Sequence, residues 1–237
     1  FSSKWSLQAQ AKYNYGWNRY EDEGKEYADG YYQAVHRQDE YYLSATALYR
    51  PFKTLSLSLA QDGAVNTLRS NLKDCPFPTR YASLTAFNIR YQYGRITASG
   101  SLVHTFITEK VEVGNAPENF RRLAPSASVS IQPWMEKTFF LRFMYKSTFR
   151  TPTFNDLYYY RLGNRSLRPE KANEYNVGIT WSSSSLSFLD YISVTFDAYY
   201  NDVTDKIVAF PTTYAWRMAN YGTVRATGVD ATLAISA

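Results

Sequence analysis

Aromatic and arginine side chains gather at two places in this chain. Tyr158, Tyr159, Tyr160 and Arg161 stand in a row, and Tyr214, Trp216 and Arg217 follow Pro211. Aromatic faces stack and guanidinium forks make paired hydrogen bonds, so this mix suits a bulky ligand with flat and anionic parts. The same residues also serve loop packing or an aromatic ring at a membrane–water boundary, and residue type alone leaves both readings open. Glu21, Asp22, Glu23 and Glu26 offer carboxylate oxygens for calcium. The spacing of a calcium loop is absent, which favours a solvated acidic loop. Cys75 is the one cysteine, so no disulfide forms within the chain; it either pairs with a cysteine outside this stretch or stays a free thiol. His36 and His104 lie far apart and have no partners at metal-ligand spacing. There is no G-x-S-x-G, H-E-x-x-H or P-loop pattern and no nucleophile–base pair, so neither an enzyme nor a bound cofactor is expected.

The elements that carry these residues read as strands. The chain has 237 residues, of which 45% are hydrophobic, 17% aromatic and 20% charged, with 22 tyrosines. That composition excludes a disordered tail and the Ala/Leu/Glu/Lys mix of coiled coils and helical bundles, and it favours β structure. The net charge of +5 is spread thinly, with no run of five basic residues, which argues against nucleic acid. No apolar stretch reaches the ~18–20 residues of a membrane helix, and no signal peptide is evident. The chain starts at Phe1 and stops at Ala237 within a strand-like pattern, as expected of an interior piece of a larger protein.

Strict alternation of apolar and polar residues runs through the sequence. Trp5, Leu7, Ala9, Ala11, Tyr13, Tyr15 and Trp17 share one parity, and Gln8, Gln10, Lys12 and Asn14 the other. The pattern returns in Leu55–Leu59, Phe87–Tyr93, Ala127–Ile131, Phe139–Tyr145, Tyr175–Trp181 and Ile192–Tyr200. Period-2 alternation marks strands with one apolar face. It predicts about ten, near 4–18, 38–50, 54–61, 81–93, 95–108, 122–132, 137–149, 173–183, 187–201 and 218–236. Short connections (Arg50–Lys53, Tyr93–Arg95, Gln132–Lys137, Ser182–Ser185) alternate with long ones near 19–37, 62–80, 109–121, 150–172 and 202–217. A meander with all its long loops at one end matches a transmembrane barrel, and aromatic residues bracket several apolar faces as two girdles would. Arg225 shares the apolar parity and is expected above the bilayer. A soluble sandwich also alternates, but with shorter strands and no such sorting of loops.

The stretch 147–181 is more specific. Phe149, Arg150, Pro152, Thr153, Phe154, Leu157 and Tyr158 are followed by Gly163, Asn164, Leu167, Pro169 and Glu170. Together with Ala198–Val208 and Asn220–Asp230, this resembles the TonB-dependent outer-membrane receptors. The resemblance implies an all-β antiparallel meander forming part of a large, about 22-stranded, transmembrane barrel, with the plug domain and terminal strands lying outside this piece. It implies a protein in the outer membrane of a Gram-negative bacterium. It further implies TonB as a partner through the plug, outer-membrane lipid and lipopolysaccharide around the wall, a bulky small-molecule ligand and a surface lipoprotein. Pro152 and Pro169 are expected to end strand 7 and open strand 8, Gly163-Asn164 to turn the chain, and Glu170 to cap or pair near Arg168. Phe149, Arg150, Asn164 and Leu167 are read as scaffold in the same segment. The Phe-Asn-Asp-Leu-Tyr-Tyr and Asp-Lys-Ile-Val pieces look most like the cobalamin receptors of Bacteroidetes. Ferric-siderophore or haem receptors of the same family are the alternative, and a passive porin or adhesin barrel is the reading outside it.

Overall fold

The computed structural model describes residues 4–22, 32–72, 75–134, 138–159, 162–184, 190–211 and 216–236. Ten strands form one sheet in chain order: β1 (Trp5–Asp22), β2 (Tyr32–Phe52), β3 (Leu55–Ser70), β4 (Thr79–Tyr93), β5 (Ile96–Lys110), β6 (Phe120–Ile131), β7 (Thr138–Arg150), β8 (Glu170–Ser183), β9 (Tyr191–Pro211) and β10 (Trp216–Ser236). Every neighbouring pair is antiparallel. A sandwich would bury the apolar face beneath a second sheet. Here all ten strands lie in one, and Leu7, Leu43, Leu59, Val177, Phe196 and Val229 stand exposed on the same face. That face needs lipid to cover it.

Several strands run further than alternation predicts. β1 continues to Asp22, β2 starts at Tyr32, β3 reaches Ser70 and β9 reaches Pro211. The expected loops at 19–37, 62–80 and 202–217 are therefore largely ladder. The reason is that beyond the bilayer both faces are wet. Apolar contrast fades there, while polar cross-strand pairs carry the ladder on. Gln33 bonds Glu21 at 2.9 Å, and Arg225 meets Asp202 at 3.4 Å. Arg225 thus sits one outward position past Tyr200, above the aromatic belt as expected.

One row of hydrogen-bonded neighbours shows how the wall sits in the membrane. It reads Trp5, Tyr49, Leu57, Ile89, Gly100, Ala127, Tyr145, Tyr175, Tyr200. The rings lie at the two ends and the aliphatic residues between them. Strands tilted by ~40° and spaced ~4.8 Å apart lift such a row by roughly 3 Å per step, or roughly 25 Å across the eight steps, the height of the apolar band. The row leaves one girdle at Trp5 and arrives at the other at Tyr200. Trp5 stacks on Tyr49 with ring centroids 4.4 Å apart, and Tyr145 meets Tyr175 at 5.1 Å.

The opposite face is polar and lines the lumen. Ser44 donates to Asp62 at 2.5 Å, Ser99 and Ser128 share a 2.6 Å bond, and one terminal nitrogen of Arg142 donates to both Asp197 carboxylate oxygens at 2.9 and 3.0 Å. Gly178 lies between the last two; a Cβ there would come within 2.2 Å of the Asp197 carboxylate.

Candidate ligand site

Buried side chains concentrate at the long-loop end, where residues 151–159 and 162–169, the strap, fold back over the lumen side of the wall. Pro152 and Pro169 bound this strap as expected: the β7–β8 ladder closes at Arg150 opposite Glu170. Within it lies a feature that alternation did not predict, a one-turn helix α1 (Phe154–Tyr158). Thr153 caps it. Its hydroxyl accepts from the Asp156 N–H at 3.2 Å, while the Asp156 carboxylate accepts from the Thr153 N–H at 2.9 Å. This reciprocal pair satisfies two N–H groups left free by the first turn. Arg150 donates to the same Asp156 carboxylate at 2.9 Å.

The strap crosses much of the sheet. Phe154 packs with Leu68 and Cys75, while Leu157 packs with Leu167 and Ile207. Arg80 reaches up from β4, donating Nε to Glu109 at 2.7 Å and a terminal nitrogen to the Pro152 carbonyl at 2.8 Å. At the far end Asn164 donates to the Met218 carbonyl at 2.9 Å, and the Met218 N–H donates to the Leu162 carbonyl at 2.9 Å. Asn220 clasps the backbone of Arg168, accepting from its N–H at 2.8 Å and donating to its carbonyl at 2.9 Å. β3, β4, β5, β9 and β10 are thereby tied to one loop.

Glu170 opens β8 at this rim. The expected pairing with Arg168 does not form, because Arg168 turns to Asp205 at 2.5 Å. Asp205 takes a left-handed backbone (φ 55°) directly opposite Gly222 (φ 34°), a local kink that presents its carboxylate to the strap. Glu170 instead receives Lys206 at 2.9 Å and the Ile207 N–H at 3.2 Å, with Arg150 at 3.8 Å. Burial alone raises its pKa, but these three donors outweigh burial and hold the carboxyl below the ordinary value.

The tyrosine-rich segment divides. Tyr158 turns inward, donates its hydroxyl to Glu109 and lies under Arg165, whose guanidinium is 5.6 Å from the ring. Burial, then the Glu109 contact, pushes its pKa up, so the hydroxyl stays protonated. Tyr159 is exposed, its ring 6.0 Å from His36. Trp216 and Arg217 stand exposed at the top of β10, opposite Pro211 and Phe210. The Met218 N–H bond to Leu162 ties the strap to the top of β10, while the Tyr159 ring faces β2. Tyr160, Arg161 and Tyr214 lie outside the described residues. Phe149 ends β7 with its ring 5.0 Å from Phe120.

Of the acidic run, Glu23 and Glu26 also lie outside the described residues, and Glu21 is engaged by Gln33 and Arg19. Among the described residues no His/Cys/Asp/Glu group is arranged to hold a metal. Cys75 is a free, buried thiol whose pKa burial pushes up. Of the residues that fix the strap, Glu109 and Arg80 were not singled out by the sequence, and Asp205 and Asn220 entered only as members of the segments that carry the family resemblance. Their only signal is a polar residue on the lumen parity at the top of a strand.

Known proteins share this architecture. The family model for "TonB dependent receptor-like, beta-barrel" matches residues 1–236. The vitamin B12 transporter BtuB of Vibrio vulnificus is 34% identical over 84 residues, covering 35% of this chain and 13% of that protein. Among solved structures, the FrpB iron transporter of Neisseria meningitidis superposes with a TM-score of 0.74 at 13% identity, covering 98% of this chain and 38% of that one. The copper transporter OprC gives 0.73 at 15% identity, with 98% and 41% covered. The Serratia marcescens hemophore receptor HasR, solved with its hemophore HasA and heme, gives 0.68 at 16%, with 98% and 44% covered. The chain thus spans about two-fifths of these structures.

Proposed function

Because this chain belongs to the TonB-dependent receptors, as a stretch of their β-barrel in the Gram-negative outer membrane, we propose that the whole protein imports a bulky, scarce nutrient, with cobalamin the leading candidate. Members of the family are receptors and transporters rather than enzymes. In this reading TonB supplies the energy through an N-terminal plug inside the barrel, and the ligand is captured at the outer rim. Tyr159, Trp216 and Arg217 at the rim, together with Tyr160, Arg161 and Tyr214, are the proposed contact residues. Tyr158 contributes from behind as a wedge under Arg165. Phe149, Arg150, Pro152, Asn164, Leu167, Pro169 and Glu170 keep the strap in place beneath it.

The observation that carries cobalamin is the 34% identity to a vitamin B12 transporter. It spans only part of the chain, so a ferric siderophore or haem is the second reading, favoured by the cationic character of the space under the strap. A surface lipoprotein at the rim and lipopolysaccharide around the wall complete the proposed partners. Calorimetric titration of the intact, detergent-solubilised receptor with cyanocobalamin tests the leading reading. Saturable binding with a Kd of about 1 μM or tighter, lost in the double variant W216A/R217A, is the expected result. No heat from a correctly assembled barrel removes cobalamin and turns the assay to ferric chelates and haem.

A further inference from the structure

The hydrogen-bonded ladder between β6 and β7 stops at Ser126–Lys146, although β7 pairs onward with β8 as far as Arg150. Pro125, next along β6, has no N–H with which to continue it. Above that point the two strands part. Side chains bridge them there: Arg122 donates to Ser147 at 3.0 Å, and Phe120 meets Phe149. The strap roofs this opening and leaves a cleft of about 730 Å³.

Six cations line the cleft: Arg80, Arg121, Arg122, Arg165, Arg168 and Lys171. Three carboxylates face them. Of these, Glu109 is held by Arg80 and Tyr158, and Asp205 by Arg168. Glu118 takes part in no ion pair among the described residues. Arg121, Arg122, Arg165 and Lys171 are left with no carboxylate partner there. Arg121 and Arg165 rest on the rings of Phe106 and Tyr158, at 4.9 and 5.6 Å. The Nε of Arg122 is buried and has no acceptor among the described residues. A buried guanidinium nitrogen without an acceptor is costly, and gathering like charges around one cavity adds to the cost. An oxyanion relieves both, since the guanidinium fork matches carboxylate and phosphate geometry.

We infer that the cleft between the parted tops of β6 and β7, beneath the strap, binds oxyanion groups, the carboxylates or phosphates of a small ligand or lipid headgroup. Arg122 and Arg165 are its principal donors. Lys171 and Arg121 supply charge at the margin. The site does not depend on cobalamin being the imported nutrient.

The test uses the intact receptor in detergent, titrated calorimetrically with citrate and pyrophosphate, with glycerol as a neutral control. Saturable binding of either anion is expected, weakened at least about tenfold by R165Q and by R122Q, and weakened as ionic strength rises. Arg165 is an exposed residue of the strap, so R165Q serves even where R122Q fails to assemble. Binding that is absent, that is equal in R165Q, or that is matched by glycerol overturns the site. The phosphorus carried through purification identifies the source. If it falls in R165Q, the native occupant is a lipid headgroup. If it is unchanged while citrate binding falls, the occupant is a soluble anion. A receptor that binds citrate yet gives no heat with cyanocobalamin keeps the site and removes the cobalamin reading.

Discussion

Glu170 gathers Lys206, the Ile207 N–H and Arg150 around one carboxylate at the mouth of β8. Its pKa is lowered in the folded state, so its contribution is present above the unfolded value of about 4.5 and is lost as pH falls through the lower, folded value. Protection of the strap amides against hydrogen exchange, taken relative to the intrinsic rate at each pH, should therefore fall below about pH 4.5 in the native protein. In E170Q it should already be lower at neutral pH and lose most of that pH dependence. A native profile that is flat down to pH 3 would remove Glu170 as the anchor. Gly178 gives a second prediction. A methyl at this position displaces the Arg142–Asp197 ion pair, so G178A should destabilise by about 1 kcal/mol in denaturant titration, and by less in a D197A background. Equal costs in both backgrounds would mean that the methyl acts elsewhere. The role of Gly178 was not legible in advance. Glu170 was read as a capping or pairing residue near Arg168; it accepts a backbone N–H, but from Ile207, and its cation is Lys206, which arrives only because β8 and β9 are adjacent.

At the scale of the element, the strap was half legible. Its limits followed from Pro152 and Pro169, which cannot donate to a ladder. Its helix did not, because one turn is too short to establish a 3.6-residue period. Its course over the sheet was also invisible, since it depends on residues such as Glu109 and Asn220, which lie 49 and 52 positions from their strap partners Tyr158 and Arg168. Gly163 is the tightest point. A Cβ there would stand 2.7 Å from the Leu157 carbonyl, and backbone cannot step aside as a side chain can. G163A should loosen the strap at a cost of ~1–3 kcal/mol, seen as earlier protease cleavage within 151–169 while the barrel stays resistant. Cleavage unchanged from the native protein would show that the strap tolerates the crowding. The long strand ends were misread as loops for a complementary reason. Alternation reports a boundary between oil and water, and above the membrane there is none.

For the whole molecule, the sheet order and the outward face were legible throughout, because bilayer and lumen impose opposite chemistry on successive residues. Val177 and Asn176 make the comparison directly. Val177 faces out between the two belts, while Asn176 faces the lumen. V177R should lower barrel assembly in heat-modifiability gels by an amount corresponding to roughly 2–4 kcal/mol, and N176R should leave it near native. Similar losses in both would refute the assignment of the faces.

The climbing row from Trp5 to Tyr200 has a consequence for how such a wall is read. Residues bonded to each other along it are not neighbours in depth. The row winds like the thread of a screw, so a depth-sensitive probe moved from Leu57 to Ile89, Ala127 and Tyr175 would travel from the periplasmic leaflet to the outer one without leaving its ladder. Residues that meet the same layer of lipid lie instead along a diagonal of the strand lattice. Any substitution series designed to sample one leaflet must follow that diagonal, stepping back along each successive strand.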